Sequence, residues 1–171
     1  LDWFGASAST AGDVDGDGWD DLLVGATHED TGGGAAGAAY LFHPPLDGVT
    51  GADQFDAKFI GENGYDLEAW GEGDRAGARV AIVEDMDGDA RPDLLITASN
   101  YGPADPDHEI NPLGAVYLVI EFDPGVNDLA DVGIRFEGDG AFSAQWQDMT
   151  VHMALGRGES ATGDFNCDGH R

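Results

Sequence analysis

The chain has 171 residues, and its 34 aspartates and glutamates outnumber its seven lysines and arginines, which gives a formal net charge of −27. A field of that sign repels phosphate backbones, which argues against nucleic acid as a partner, and it favours cations or a saline medium. Hydrophobic residues make up 42% of the chain, as in ordinary globular proteins, yet no apolar run is long enough for a membrane span. We therefore expect an acidic globular protein without membrane insertion.

The predicted elements are short strands that follow one another along the chain. They lie at about 5–12, 21–26, 37–42 and 56–61, and then at about 77–84, 93–98, 114–121 and 132–137. Each run is rich in β-branched, aromatic or small residues and is bounded by Gly, Pro, Asp or Asn. Two stretches, near 67–70 and 128–130, have room for a single helical turn. The sequence therefore predicts an all-β protein.

The chain also repeats itself. The segment FGASASTAGDVDGDGWDDLLVGA (4–26) aligns without gaps with AGARVAIVEDMDGDARPDLLITA (76–98), and a third copy begins within 155–171. The later segments GAAYLF (37–42) and GAVYLV (114–119) correspond as well. Four strands repeated at spacings of 72 and then 79 residues indicate β-propeller blades of four antiparallel strands. A β-sandwich is the alternative, but it would not require copies that match so closely in order and spacing.

The repeats predict a single partial propeller domain over 1–171, with one unit at 1–75, a second at 76–154 and a truncated third at 155–171. The chain has no initiator methionine and stops within a motif, so we interpret it as a fragment whose remaining blades belong to a parent chain. Two units and a beginning cannot close a ring, and we expect them to leave exposed strand edges that invite association. An open arc or an oligomer is the expected form.

Each unit carries an aspartate-rich stretch after its first predicted strand. Positions 1, 3, 5 and 9 of the two complete stretches are aspartates, and position 7 offers a backbone carbonyl. Alternating residues of a tight loop can turn their oxygens toward one centre, and Ca²⁺ takes six to eight oxygens. The candidate ligands are Asp13, Asp15, Asp17, Trp19 and Asp21 in the first copy, Asp85, Asp87, Asp89, Arg91 and Asp93 in the second, and Asp164, Asn166, Asp168 and His170 in the third, whose position 9 falls beyond the last residue.

Ca²⁺ is the expected cofactor. Mg²⁺ is a weaker candidate because it demands a stricter octahedron, and Zn²⁺ needs His or Cys, neither of which stands at a ligand position of the two complete loops. The loops are not EF-hands, because position 12 is Val24 or Ile96 instead of a bidentate glutamate. The alternative is a loop that has lost its ion. It suits the second copy better, where Ala90 replaces Gly18 and would be strained if this position requires a positive φ.

Phe4-Gly5, the loop at 13–21, Gly25-Ala26 and the G-x-x-Y-x-F strand at 37–42 resemble the FG-GAP repeat of integrin α-subunit propellers and their bacterial relatives. The second unit departs from this pattern, with Ala-Gly at 76–77 and Thr-Ala at 97–98. The resemblance implies a propeller of about seven blades, with calcium in the hairpin between the first two strands of a blade, on the lower face. Partner contacts in the family usually use the upper face.

The resemblance thus implies an extracellular adhesion or protein-interaction module that is not an enzyme. The upper face would hold the loops at 27–36 and 99–113 and the inter-unit stretches at 62–76 and 138–155. Trp70, Tyr101 and Trp146 are candidate contact residues there, unless the two tryptophans pack between blades. A carbohydrate-binding, lectin-like propeller and a non-catalytic propeller appended to a secreted hydrolase are the alternatives.

Two further expectations concern chemistry and location. The five histidines do not align between copies and no Ser-His-Asp or Cys-His motif is recognisable, so no catalytic residue is predicted, and the His-Glu-Asp run at 28–30 is expected to be a solvated loop. Calcium sites of millimolar affinity would be filled outside cells and empty in the cytosol. This favours an extracellular or cell-surface location.

Overall fold

A computed structural model describes residues 2–48, 50–64, 73–102, 113–138, 143–146 and 149–152. Over these ranges the chain is almost entirely β, with one α-helix of four residues and a short 3-10 turn at Ala52–Gln54. No helix in the described part of the chain has the length and apolarity that crossing a membrane requires. The all-β prediction is confirmed.

The first unit forms a four-stranded antiparallel sheet in chain order. Its strands are β1 (Phe4–Ser9), β2 (Leu22–Ala26), β3 (Ala38–Phe42) and β4 (Ala57–Ile60). Three of the strands lie within one residue of their predicted bounds. Strand β1 ends three residues before its predicted end, because the chain there turns into the aspartate loop. The Asp21 N–H closes this loop by donating to the Gly12 carbonyl at 2.8 Å.

The second unit repeats this arrangement. Its strands β5 (Ala76–Val83), β6 (Asp93–Ala98) and β7 (Ala115–Val119) pair in chain order. The chain then forms β8 (Gly125–Asp128) and α1 (Leu129–Val132) before β9 (Gly133–Glu137) completes the sheet beside β7. Helix α1 fulfils the prediction of a single turn near 128–130. A separate hairpin pairs β10 (Ser143–Trp146) with β11 (Met149–His152), where the sequence predicted no strand.

Strand β8 was not predicted, and it changes the edge of the first sheet. It pairs in parallel with β4, so that the first sheet has five strands. The Gly125 N–H donates to the Asp56 carbonyl at 2.8 Å, and the Phe122 ring meets the Phe59 ring edge-on at 5.1 Å. The prediction of exposed edges is therefore wrong for β4, whose outer edge is covered by the second unit.

The two sheets share one core. Leu23, Leu41 and Phe59 of the first sheet lie in the same buried cluster as Leu94, Ile96 and Tyr117 of the second. Strands β2 and β5 approach closely because glycines face each other. A Cβ added to Gly25 would lie 2.0 Å from the carbonyl oxygen of Gly77, which itself has a φ of +80°. This packing fixes both aspartate loops at the same end of the two sheets, where a cavity is lined from both loops.

Candidate metal centres

The aspartate loops lie where the repeats predict them. The first connects β1 to β2, and the second connects β5 to β6. Each loop starts and ends on antiparallel strands in register, Ser9 opposite Leu23 in the first unit and Val83 opposite Asp93 in the second. The sheets therefore determine where the ends of each loop lie, and local hydrogen bonds shape its interior.

Asp13 organises the first loop. Its Oδ1 accepts the N–H groups of Gly16 at 2.7 Å and Asp17 at 3.0 Å, and its Oδ2 accepts that of Gly18 at 2.8 Å. Desolvation raises the pKa of this carboxyl, but these backbone hydrogen bonds outweigh it and the pKa is lowered. Asp13 is therefore held in the ionised form that a metal ligand needs.

Each following aspartate accepts the N–H two residues onward. Asp15 Oδ1 accepts from Asp17 at 2.9 Å, and Asp17 Oδ1 accepts from Trp19 at 2.8 Å. Asp21, which is fully buried, closes the loop by accepting the Val14 N–H at 2.6 Å. These side-chain to backbone bonds bend the chain so that alternate carboxylates face one side.

The second loop reproduces the pattern bond for bond. Asp85 accepts the N–H groups of residues 88 and 90, Asp87 accepts that of residue 89 at 3.0 Å, and Asp89 accepts that of Arg91 at 2.7 Å. Asp93 accepts the Met86 N–H at 2.6 Å, as Asp21 does in the first loop. The backbone bond from Gly88 is the main reason why the pKa of Asp85 is lowered.

The backbone conformation at position 6 is the same in both loops. Gly18 has a φ of +95° and Ala90 has a φ of +71°. The left-handed region costs a residue with a Cβ roughly 1–2 kcal/mol. The position thus does require a positive φ, and Ala90 occupies it under strain while keeping the loop geometry.

The carboxylates converge into groups that could hold an ion. In each group the ligand atoms lie within 4.8 Å of one another. The groups are Asp13, Asp15 and Asp17; Asp15, Asp21 and His43; and Asp85, Asp87 and Asp93. Asp89 joins none of them, and Trp19 and Arg91 contribute only N–H bonds to the described geometry. The predicted third-copy ligands, Asp164, Asn166, Asp168 and His170, lie outside the described residues.

The donor sets fit a hard divalent cation. The group in the second loop, Asp85, Asp87 and Asp93, consists of carboxylate oxygens alone, the ligands that Ca²⁺ prefers. Desolvation, followed by the charges of Asp87, Asp85 and Asp89, raises the pKa of the nearly buried Asp93 in spite of its bond from Met86. The carboxylates therefore repel one another, and a cation among them would relieve that repulsion.

A comparison with protein families identifies the repeats. A family model described as the FG-GAP repeat matches residues 4–42 and 76–119, which run from the first to the third strand of each unit and include both complete loops. The chain belongs to the FG-GAP repeat family. FG-GAP repeats are β-propeller blades, so the two sheets are blades of a propeller.

One curated relative supports this assignment. The FG-GAP chain is 34% identical over 103 residues to a protein named integrin alpha pat-2, from Caenorhabditis briggsae. The aligned segment covers 59% of this chain and 8% of that protein. The chain thus corresponds to a small part of the relative and is an integrin-like propeller module.

His43 is a site residue that sequence reasoning missed. It directly follows β3, and because Leu22 pairs with Phe42, the next pair places His43 opposite Asp21. Its Nδ1 lies 2.8 Å from Asp21 Oδ1 and 3.7 Å from Asp15 Oδ2. Desolvation opposes the charged imidazole, but Asp21 outweighs it and the pKa of His43 is raised. Extending the pairing of β2 with β3 by one residue pair in this FG-GAP unit is the signal that would have identified His43.

A cavity of about 850 Å³ lies between the two aspartate loops. One wall carries Asp15 and His43 from the first FG-GAP unit, and the other carries Asp89 and Arg91 from the second. Residues of both loops therefore line one shared space.

The opposite face differs from expectation in two places. The loop at 27–36 is not simply solvated, because Glu29 is buried and lies 2.8 Å from Lys58 Nζ. Tyr101, a predicted contact residue, packs against the shared core, with its ring edge-on to Tyr117 at 6.4 Å. The side chains of Trp70 and Trp146 lie outside the described residues.

Proposed function

We propose that this FG-GAP chain is a calcium-binding, integrin-like propeller module that serves protein interaction or adhesion outside the cell. The observation that carries the proposal is the repeated loop. Two blades present equivalent aspartates through the same hydrogen bonds, and in each loop the carboxylates converge. One acidic cluster can arise by chance on so negative a chain, but two equivalent clusters at equivalent positions favour a shared ligand.

The ion would act through stability. Asp13, Asp15 and Asp17 would hold it in the first loop, and Asp85, Asp87 and Asp93 in the second. A bound Ca²⁺ compensates half the charge of four carboxylates and stabilises the folded hairpin. Binding to the folded state alone contributes about 3–4 kcal/mol at 100 to 1,000 times the dissociation constant. Extracellular calcium would thus keep the blades folded and in place.

Isothermal titration calorimetry of the calcium-free chain tests this proposal. We expect calcium uptake with at least two sites, together with a rise in melting temperature that EDTA reverses. Asp13→Asn with Asp85→Asn should abolish the uptake, whereas Asp47→Asn, which changes an exposed aspartate outside the loops, should not. Absence of calcium uptake, with the same melting curve in EDTA, would refute calcium binding.

The adhesion role needs a separate test. The relative's name places it among integrin α-subunits, and this chain matches only 8% of its length, so the role rests on family likeness. Surface binding assays with extracellular matrix proteins and a glycan array, each with calcium and with EDTA, separate the possibilities. We expect calcium-dependent binding to protein. Binding to glycans alone would support the lectin-like alternative instead.

A further inference from the structure

We propose that the chain associates head to tail with a second copy of itself, by adding a stretch of its first unit as a parallel strand to β9 of that copy. The donor stretch includes Gly48, Thr50 and Gly51, and the acceptor is the outer edge of β9 (Gly133–Glu137). This inference goes beyond the proposed function, because neither part belongs to an aspartate loop. It extends to two copies a pairing that the chain already makes between its own units.

The first step is the equivalence of the connections between the third and fourth strands of the two units. Residues 43–56 align without gaps with residues 120–133, which places Gly48 over Gly125. Both glycines have a positive φ, of +68° and +98°. Each connection then ends in one helical turn with an extended N-cap residue, at Ala52–Gln54 in the first unit and in α1 in the second. The donor stretch is therefore the counterpart of β8.

The second step is that this counterpart already acts as an added strand. Strand β8 pairs in parallel with β4 of the preceding unit, with Asn127 opposite Phe59. The described residues of the donor stretch, by contrast, belong to no strand. The outer edge of a sheet presents a row of backbone N–H and C=O groups that can pair with a strand of another chain. The register of β8 on β4 would place Thr50 opposite Phe136 of the second copy.

The third step is that β9 is exposed where its counterpart β4 is covered. Ala57 and Phe59 of β4 lie in the core shared by the two units and are 1% and 0% exposed. The equivalent residues of β9, Ile134 and Phe136, are 47% and 54% exposed. Strand β9 is the last strand of its sheet, and no strand in the described part of the chain pairs with its outer edge. Two large apolar side chains thus lie on an open edge strand, which is a surface suited to a further unit of the same kind.

The net charge opposes this association and gives it a salt dependence. Each copy carries a formal charge of −27, so two copies repel each other at long range. The proposed contact consists of backbone hydrogen bonds and apolar side chains, which salt does not screen. Added salt should therefore strengthen the assembly, whereas it would weaken an assembly held by ion pairs. Since each copy has one donor and one acceptor, the contact is heterologous and can continue from copy to copy.

Sedimentation equilibrium of the untagged chain tests the inference at about 1 M salt, where the Debye length is about 3 Å. We expect the average mass to rise with concentration from 17.9 kDa to about double that value or more, and the β9 amides to gain protection from hydrogen exchange. Thr50→Pro removes a backbone N–H from the donor stretch, and Phe136→Asp places a charge on the acceptor strand, so each variant alone should remain monomeric. Thr50→Val keeps the N–H and should assemble like the unmodified chain.

A mixture of the two monomeric variants determines whether the contact is head to tail. Each variant retains the part that the other lacks, so an equimolar mixture should form one-to-one dimers that do not grow further. An unmodified chain that stays monomeric, or association that persists in Thr50→Pro, would overturn the inference. A mixture that stays monomeric while both variants keep the circular dichroism spectrum of the unmodified chain would overturn it as well. If a variant loses its fold, the unmodified chain still decides, because association without protection of the β9 amides would refute strand addition.

Discussion

At the scale of single residues, Ala90 shows what the loop conformation costs. It holds a φ of +71° at the position where the first loop has Gly18 at +95°. Ala90→Gly should therefore raise the free energy of unfolding in saturating calcium by about 0.5–1 kcal/mol, because relief of strain exceeds the added entropy of the unfolded chain. Urea denaturation measures this change. Gly18→Ala is the matched reverse variant and should destabilise; a destabilised Ala90→Gly would contradict the argument.

The ion pair beneath the loop at 27–36 supports a second prediction. Lys58 Nζ lies 2.8 Å from both Glu29 Oε1 and Thr31 Oγ1, and both charged residues are buried. Lys58→Met would leave a buried carboxylate without its cation and should cost about 3 kcal/mol of unfolding free energy at pH 7. Thermal denaturation measures the loss.

Glu29→Gln in the same chain is the control for Lys58→Met, because it removes the unpaired charge. The double variant should recover most of the lost stability. A single variant as stable as the unmodified chain would show that Lys58 contributes nothing beyond its aliphatic stem.

Residue patterns located the two aspartate loops and their converging carboxylates, but not every side chain that lies beside them. Spacing alone identified Asp13, Asp15 and Asp17, because three alternating carboxylates in a tight turn have few other arrangements. His43 is 22 residues from Asp21 and joins the site only through strand pairing. Whether such a residue comes close to the loop depends on how the strands of the hairpin pair, and a search for local sequence motifs does not include that pairing.

At the scale of elements, β8 shows how one blade covers the edge of another. The turn before it is held by the buried Asn127, whose Nδ2 donates to the carbonyls of Asp123 at 2.8 Å and Gly125 at 3.2 Å. Asn127→Ala should loosen β8 and expose the edge of β4. We expect amide hydrogen exchange of β4 to accelerate about tenfold and the chain to self-associate at high concentration.

Val126→Thr is the control for Asn127→Ala, because Val126 is an exposed member of the same strand and the substitution keeps its backbone pairing. It should leave both exchange and the oligomeric state unchanged. Equal exchange rates in the two variants would show that Asn127 does not hold β8 in place.

The four strands of each unit could be predicted because their spacing recurs, but β8 could not. The run Gly125–Asp128 has no apolar alternation, and its partner is a strand of the other blade. Its pairing depends on tertiary packing, in which Phe122 meets Phe59, rather than on a local pattern. Helix α1 was foreseeable because Asp128 is a good N-cap, and its side chain accepts the Ala130 N–H.

At the scale of the whole molecule, the blades are joined by polar contacts as well as by their core. Glu62, which follows β4, accepts the hydroxyl of Tyr117 at 2.9 Å and pairs with Arg135 of β9. Asp74 precedes β5 and accepts both the backbone and the side-chain N–H of Asn63 at 2.9 and 3.0 Å. These residues place two carboxylates near each other at the junction of the blades.

That junction makes stability depend on pH. Desolvation is the main cause that raises the pKa of the buried Asp74 from 3.8 to about 6, and the charge of Glu62 adds to it. The folded state therefore holds this proton more tightly than the unfolded state. The stability that this proton contributes to the fold is fully present below about pH 3.8 and is lost as the pH rises through about 6. The loss amounts to about 2 kcal/mol of unfolding free energy after screening by solvent.

Asp74→Asn removes this titration and keeps an oxygen that can accept from Asn63. We expect the unfolding free energy of the unmodified chain, minus that of Asp74→Asn, to decrease as the pH rises from 4 to 7. Both values are measured by urea denaturation. Saturating calcium is present throughout, so that the aspartate loops contribute equally to the two chains. A constant difference over that range would mean that Asp74 titrates alike in the folded and unfolded chain. The junction between the blades would then be indifferent to the charge of this residue, and the buried position of Asp74 would serve its hydrogen bonds alone.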